Sequence, residues 1–494
     1  MSTNTVPNVP DWVKDAVFYQ IFPDRFAKSD SVEKPANLLP WSDPPHDQKY
    51  HGGDLIGVLE KLDYLQDLGV TAIYTTPIFQ SASNHRYHTH DYYQVDPLLG
   101  GNDALRQLVE EVHRRGMKIV LDGVFNHSSR GFFQFNDVLE NGPHSPWIEW
   151  FKIKGWPLAP YDGKRPANFV GWRENRSLPE FDTDHPEVRE YIMRIAEFWI
   201  KEYEIDGWRL DVAGEIETPG FWEEFRNRVR AVDPEAYIVS EIWTLSPEWV
   251  TGDKFDAHMN YPVTEAIVNF AGQSNISEKI SEHPEFQPRK DFSAADFGKR
   301  IGEILEAYHW ETTLVSLNLL DSHDTARMIS IVQGDKASIR LATFFQMTYP
   351  GAPSIYYGDE IGIRGTLDYD RQHVDRHARW PMPWDLAEQD QEMFAFFKKA
   401  IALRHKYPAL RRGNFEQVSA DGKVFAFTRT LSEESSLLIV INAGESSNEL
   451  PIELEPTVET SDSPQVVFGT GQCEQTDGSL KITVEGRSGM AIEL

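Results

Sequence analysis

A single cysteine, Cys473, stands in 494 residues. An intrachain disulfide framework is thereby excluded, and a reducing compartment suits the chain. No apolar run is long enough to span a bilayer. The start, MSTNTVPNVPDW, has neither a basic lead nor an apolar core, so no secretory signal is expected and the reading is cytoplasmic. Basic residues are in deficit: 48 Lys and Arg against 77 Asp and Glu give a net charge of −29. That imbalance argues against nucleic acid or an anionic membrane as partner, and a neutral substrate is the simplest fit. Internal repeats, coiled-coil heptads and a glycine-rich phosphate loop are also missing. Aromatics, by contrast, are plentiful, with 14 Trp and 18 Tyr. Most such rings pack in cores, but flat rings also stack on sugar faces.

The periodicity alternates between strand and helix. Strand-like runs are expected at residues 16–22, 70–76, 118–125, 207–212, 236–242, 254–259, 314–320 and 352–357. Helical spacing fills residues 55–68, 105–115, 188–203, 221–232, 297–308, 337–347 and 391–404. Eight such units predict an α/β fold, a (β/α)8 TIM barrel, with parallel strands and helical crossovers. The alternation breaks between about 128 and 185, where aromatics, Gly and Pro show little period. From about 414 the pattern becomes short alternating strands such as VFAFTRTL and SLLIVINA. The expected organisation is therefore a catalytic barrel over 1–127 and 186–410, an inserted subdomain over 128–185 and a C-terminal antiparallel β-sandwich over 411–494.

In such barrels the active site lies at the carboxyl ends of the strands. The third strand ends in DGVFNH, with Asp122, Asn126 and His127; the fourth in GWRLDVA, with Arg209 and Asp211; the fifth in SEIW, with Glu241; NLLDSHD, with His323 and Asp324, follows the seventh. Arg209 and Asp211, two apart on a strand, share a face, and the arginine favours an ionised carboxylate beside it. A structural ion pair and an aimed nucleophile fit that pair equally well. A lone acid after a strand is usually a cap for the next helix, but four adjacent ends that each deliver acid or imidazole to one rim are not. Three carboxylates on one rim suit glycoside hydrolysis, one as nucleophile and one as general acid. The acid must keep its proton near neutrality, and Glu241, flanked by Ile242 and Trp243, is the candidate.

These four motifs, in this order, resemble the conserved regions of the α-amylase superfamily of glycoside hydrolases. VFYQIFPDRF, GGDLIGV, TPIFQSASNHRYHTHDYYQVDP and IYYGDEIG are similar to the neopullulanase, cyclomaltodextrinase and maltogenic amylase group, and beyond it to cyanobacterial debranching enzymes that lack an N-terminal β domain. The resemblance implies a retaining hydrolase of α-1,4 and α-1,6 glucosidic bonds in malto-oligosaccharides, pullulan, cyclodextrins or branched glycogen fragments, with some transglycosylation. It implies Asp211 as nucleophile, Glu241 as acid and base, and Asp324 as a ligand of the sugar hydroxyls in the transition state. Arg209 would hold Asp211 ionised, His127 and His323 would bind hydroxyls, and Tyr87 would stack on the same glucose. Asp375 and Arg379, in the loop after the eighth strand, would also bind sugar. Glu215, just after the nucleophile motif, points to tolerance of both linkages.

No cofactor is expected. Relatives bind calcium in the loop after FPDRF, but here that loop reads AKSDSVEK, and Lys28 and Lys34 discourage a cation. HRYHTHD, with His85, His88, His90 and Asp91, is an alternative metal cluster. A catalytically inactive α-glucan-binding or structural homologue is the alternative of another class, although such a chain would be expected to have lost one of Asp211, Glu241 and Asp324. Trp147, Trp150, Trp156 and Trp172 either line outer sugar sites or pack the inserted segment. The oligomeric state is open, a homodimer included.

Overall fold

The computed structural model describes residues 6–46, 48–278, 287–366, 378–432, 436–453, 464–476 and 479–494. Eight short parallel strands make one sheet: β1 (Phe18–Ile21), β2 (Ala72–Thr75), β3 (Lys118–Gly123), β4 (Gly207–Leu210), β5 (Tyr237–Ser240), β6 (Ala257–His258), β7 (Leu317–Leu319) and β8 (Ala352–Tyr356). Their order across the sheet is 6-5-4-3-2-1-8-7, and a parallel bridge from Met259 to Leu317 brings its two edges together. This is the barrel expected from the alternation. Helices such as Gly101–Arg114, Pro186–Tyr203, Phe221–Val232 and Lys336–Thr348 cover its outside. Gly207 is required where β4 meets β5, because a Cβ there would lie 2.2 Å from the Tyr237 carbonyl oxygen.

Strand parity sorts the side chains. Trp208 and Leu210 pack outward with the helices, while Phe18, Ala72, Tyr74, Val120, Val239, Leu317 and Leu319 fill the barrel interior. Two residues further along the same inward faces stand Gln20 and Asp122, with Arg209 beside them in register with Asp122. A side-chain period of two thus stacks a polar layer above an apolar plug.

Three details differ from the sequence reading. The helix expected at 55–68 is broken at Lys61 into Leu55–Glu60 and Leu62–Leu68. Residues 314 and 315, expected in a strand, end the helix Trp310–Val315. The helix Tyr261–Gly272 was not anticipated; it is buried almost all round, so it has no polar face to create a period.

Between β3 and β4, isolated bridges such as Phe151–Phe181 and Ile153–Phe169 tie the irregular segment together. Phe132, Phe135, Phe151, Phe169 and Phe181 are buried beneath it. Beyond the barrel, antiparallel strands form a five-stranded and a three-stranded sheet. Among the described residues no helix is long and apolar enough to cross a membrane.

Candidate active site

The ladder continues one residue past each strand. The Asp211 N–H donates to the Gly123 carbonyl at 3.1 Å, and the Glu241 N–H donates to that of Leu210 at 2.9 Å. Both side chains therefore leave the rim at heights fixed by the sheet. Val212 follows with φ 40° and ψ 41°. A β-branched residue in that left-handed region costs about 1–3 kcal/mol, and here it turns the Val212 N–H onto Glu241 Oε2 at 3.0 Å.

One guanidinium organises the centre. Arg209 is fully buried. Its Nη1 lies 3.0 Å from both Asp122 oxygens and 3.1 Å from Asp211 Oδ1, and its Nη2 lies 2.9 Å from Glu241 Oε1. Glu241 Oε1 also accepts from the Trp243 indole N–H at 3.2 Å, and that indole stacks on Tyr261 with centroids 3.8 Å apart. The sequence reading gave Arg209 to Asp211 as its ion-pair partner. Instead three carboxylates share it, and burial followed by the Glu241 charge pushes the Asp211 carboxyl well above its ordinary range against Arg209. Arg209 opposes that rise while sharing its charge among the three carboxylates. Retaining chemistry needs an ionised nucleophile and a protonated acid side by side.

Asp324 is reached through a continuous hydrogen-bonded chain. Tyr74 and Tyr87 hydroxyls donate to Asp122 Oδ2 at 2.7 and 2.9 Å. Tyr87 Oη lies 2.6 Å from His323 Nε2, which lies 2.8 Å from Asp324 Oδ2. The Gln20 amide sits 2.7 Å from His323 Nδ1; with Gln20 donating, the ring carries its proton on Nε2, facing Tyr87 and Asp324. Arg379 donates from Nη2 to Asp324 Oδ1 at 2.8 Å and from Nε to the His323 carbonyl at 2.8 Å. Burial would raise Asp324, but His323 and Arg379 outweigh it and hold the carboxyl well below its ordinary range. Asp324 is thus a fixed anion.

His127 stands apart from this chain. Burial, with His88 nearby, pushes it down to about 3, so it is neutral. Its Nδ1 is 3.3 Å from Asn126 Oδ1, and among the described residues its buried Nε2 has no partner, leaving one ring nitrogen for a ligand hydroxyl. The ring stacks on Trp172 with centroids 5.3 Å apart, an aromatic that the irregular segment brings in. Tyr87, expected against a sugar, lays one ring face parallel to His323 with centroids 5.4 Å apart and an interplanar angle of 7°. Asp375 lies outside the described residues. The sequence reading missed Gln20, Tyr74 and Met259, whose sulfur lies 3.3 Å from Arg209 Nε. Inward parity on β1 and β2 was the available signal for the first two.

The loop that raised calcium does not fit one. Lys34 Nζ lies on Asp54 Oδ2, which also accepts from the Ser29 N–H at 2.8 Å, while Asp54 Oδ1 caps the following helix through the Gly57 N–H at 2.7 Å. An ammonium already occupies the approach a cation would need. The His85 and His88 rings meet with centroids 4.9 Å apart, but among the described residues no group of three or more His, Cys, Asp or Glu could hold a metal. A chelator should accordingly leave the thermal midpoint and the activity unchanged, as differential scanning calorimetry and a sugar-release assay with and without EDTA would show.

The catalytic-domain model of alpha amylase matches residues 20–413. The chain belongs to the α-amylase family. An α-amylase-family glycosidase, it is 43% identical over 436 residues to a cyclomaltodextrinase of Bacillus sp., covering 88% of this chain and 73% of that relative. It is 42% identical to neopullulanase 2 of Thermoactinomyces vulgaris, over 88% of this chain and 71% of the other. The solved debranching enzyme of Nostoc punctiforme superposes with a TM-score of 0.91 at 50% identity, covering 99% of this chain and all of its own.

Proposed function

We propose that this α-amylase-family enzyme cleaves α-1,4 and α-1,6 glucosidic bonds in malto-oligosaccharides, pullulan, cyclodextrins or branched glycogen fragments, with retention at the anomeric carbon and some transfer to sugar hydroxyls. The observation that carries the reading is the shared guanidinium: Arg209 grips Asp211 and Glu241 through its two terminal nitrogens. Asp211 attacks the anomeric carbon as Glu241 gives its proton to the leaving oxygen. A covalent β-glucosyl enzyme results. Glu241 then takes a proton from water, which displaces Asp211.

Asp324 stays ionised throughout and binds the hydroxyls beside the reacting carbon, most strongly as positive charge develops there. Arg379 and His323 hold its two oxygens and leave it little freedom. His127 accepts a hydroxyl proton at Nε2, and Asp375 is placed among the sugar ligands from its motif. The barrel segments 1–127 and 186–410 form the catalytic unit, 128–185 is an insertion that walls it, and 411–494 is a supporting β-sandwich. The single cysteine favours work in a reducing compartment such as the cytoplasm.

The test is a time course of products from pullulan, β-cyclodextrin and maltotriose. Panose from pullulan reports α-1,4 cleavage, and maltotriose reports α-1,6 cleavage. Release of α-anomers at early times is expected. Early β-anomers would overturn retention, and no release from any of the three would overturn the assignment.

A further inference from the structure

The irregular segment between β3 and β4 is unusual at its surface. Seven large hydrophobics are exposed among the described residues, and three of them, Phe133 at 64%, Trp156 at 39% and Tyr161 at 71%, belong to residues 128–185. An isolated exposed apolar side chain needs no explanation, so the argument rests on what surrounds one of them. Trp156 lines an open groove of 960 Å³ together with Phe151, Ile153 and Val170. Among the described residues no aromatic ring or cation packs on its indole.

The backbone that carries the ring is also held in place. The Lys154 and Gly155 N–H groups donate to the Asn168 carbonyl at 2.7 and 3.2 Å. The Asn168 side-chain amide donates to the Pro157 carbonyl at 2.7 Å. Asn168 itself takes φ 64°, a left-handed conformation that Asn tolerates better than most residues. One residue thus grips the chain on both sides of Trp156. A pinned turn presenting a partly exposed indole loses little entropy on binding, which is what a preorganised ligand platform needs.

The charges in the groove choose the ligand. Glu149, Asp182 and Asp184 face Lys152 and Lys154 there. Lys152 Nζ is paired with Glu180 at 3.0 Å, and His185 Nε2 lies 3.4 Å from Glu149. Charges of both signs, some of them paired, set up no strong single-sign field for an ion, and they offer donors and acceptors at the rim. A flat aromatic floor with a polar rim suits a neutral polyhydroxylated chain, whose C–H faces lie on the ring while its hydroxyls reach the rim.

We propose that the groove at Trp156 is an accessory α-glucan-binding site, which shares no residue with the hydrogen-bonded network around Asp211. The ligand class rests on the proposed function. A site of this kind tethers long or branched glucans without touching the bond being cleaved, so it acts on polymer binding rather than on the chemistry.

The test uses the full chain with Asp211→Asn, so that glucan is not consumed. In native gels containing glycogen, this protein should be retarded. Adding Trp156→Ala should weaken apparent binding about ten-fold, the loss expected for a buried aromatic anchor, while Trp156→Tyr keeps most of it. Circular dichroism and the thermal midpoint check that each variant folds. Equal retardation of the Trp156→Ala protein, or none of its parent, overturns the accessory site. The proposed function stands or falls separately, on maltotriose hydrolysis by the unaltered enzyme.

Discussion

Asp211→Asn should lower kcat on maltotriose by on the order of 10⁴- to 10⁶-fold, the range seen when a nucleophile is removed from an active site. The fold should survive. Asn has the same shape, and its carbonyl can still accept from Arg209 Nη1, which lies 3.1 Å from Asp211 Oδ1. It also removes a carboxyl that burial and Glu241 push upward. The sign follows from linkage. A folded-state pKa above the unfolded value near 3.9 means that the native state loses stability as pH rises from about 4. Removing that group removes the loss, so the thermal midpoint at neutral pH should equal or exceed that of the unaltered enzyme. Inactivity with a lowered midpoint would instead mark Asp211 as a structural residue.

A sharper reading separates the two proposed roles. With Asp211→Ala, azide and a glucosyl substrate carrying a good leaving group, azide enters from the face the carboxylate has vacated and gives the β-glucosyl azide. With Glu241→Ala, the covalent intermediate still forms, and azide displaces Asp211 to give the α-glucosyl azide. Product anomers identified by proton NMR decide the assignment. The reverse pairing would exchange the roles, and the same anomer from both variants would remove the two-step mechanism.

Much of this was legible in the chain because the barrel turns sequence order into spatial order. Once eight strands are recognised, a residue at a strand end is at the rim, which is why the sequence leads one to expect Asp211, Glu241, His323 and Asp324 there. Parity also worked: Arg209 lies inward and Trp208 outward. Pairings between strands were not legible. That Arg209 also holds Asp122 depends on the register of β3 with β4, where the two residues stand side by side, and no spacing within one strand reveals it. Gln20 and Tyr74 escaped because neither is an acid or an imidazole, although their strands and parity put them in the same layer. Trp172 was hidden differently. It comes from a segment without period, in a turn where Arg173 takes φ 46° and ψ 40°, so nothing in the sequence aims it at His127. Tyr87 was expected to stack on a sugar; that one face of its ring packs on His323 is a contact no spacing reveals.

Arg209→Met should be the most destabilising single change in the site, and its cost should depend on pH. Met keeps the length and apolar bulk of the side chain but leaves Asp122, Asp211 and Glu241 without their shared cation. Removing one partner of a buried ion pair costs about 3–5 kcal/mol. Burial already pushes Asp122 and Asp211 up, and in both Arg209 opposes the rise. Without it both carboxyls move higher still. The native state then binds more protons than the unfolded chain from about pH 4 upward, so stability falls as pH rises. The deficit relative to the unaltered enzyme should be smallest in acid and grow toward neutrality. Calorimetric midpoints of both proteins across that range measure it, and a deficit that is the same at every pH would show that packing, not charge, is what Arg209 supplies. Catalysis should move in step. The nucleophile must be ionised, so the acid limb of kcat/KM shifts to higher pH, whereas loss of packing alone would lower the whole profile without displacing it.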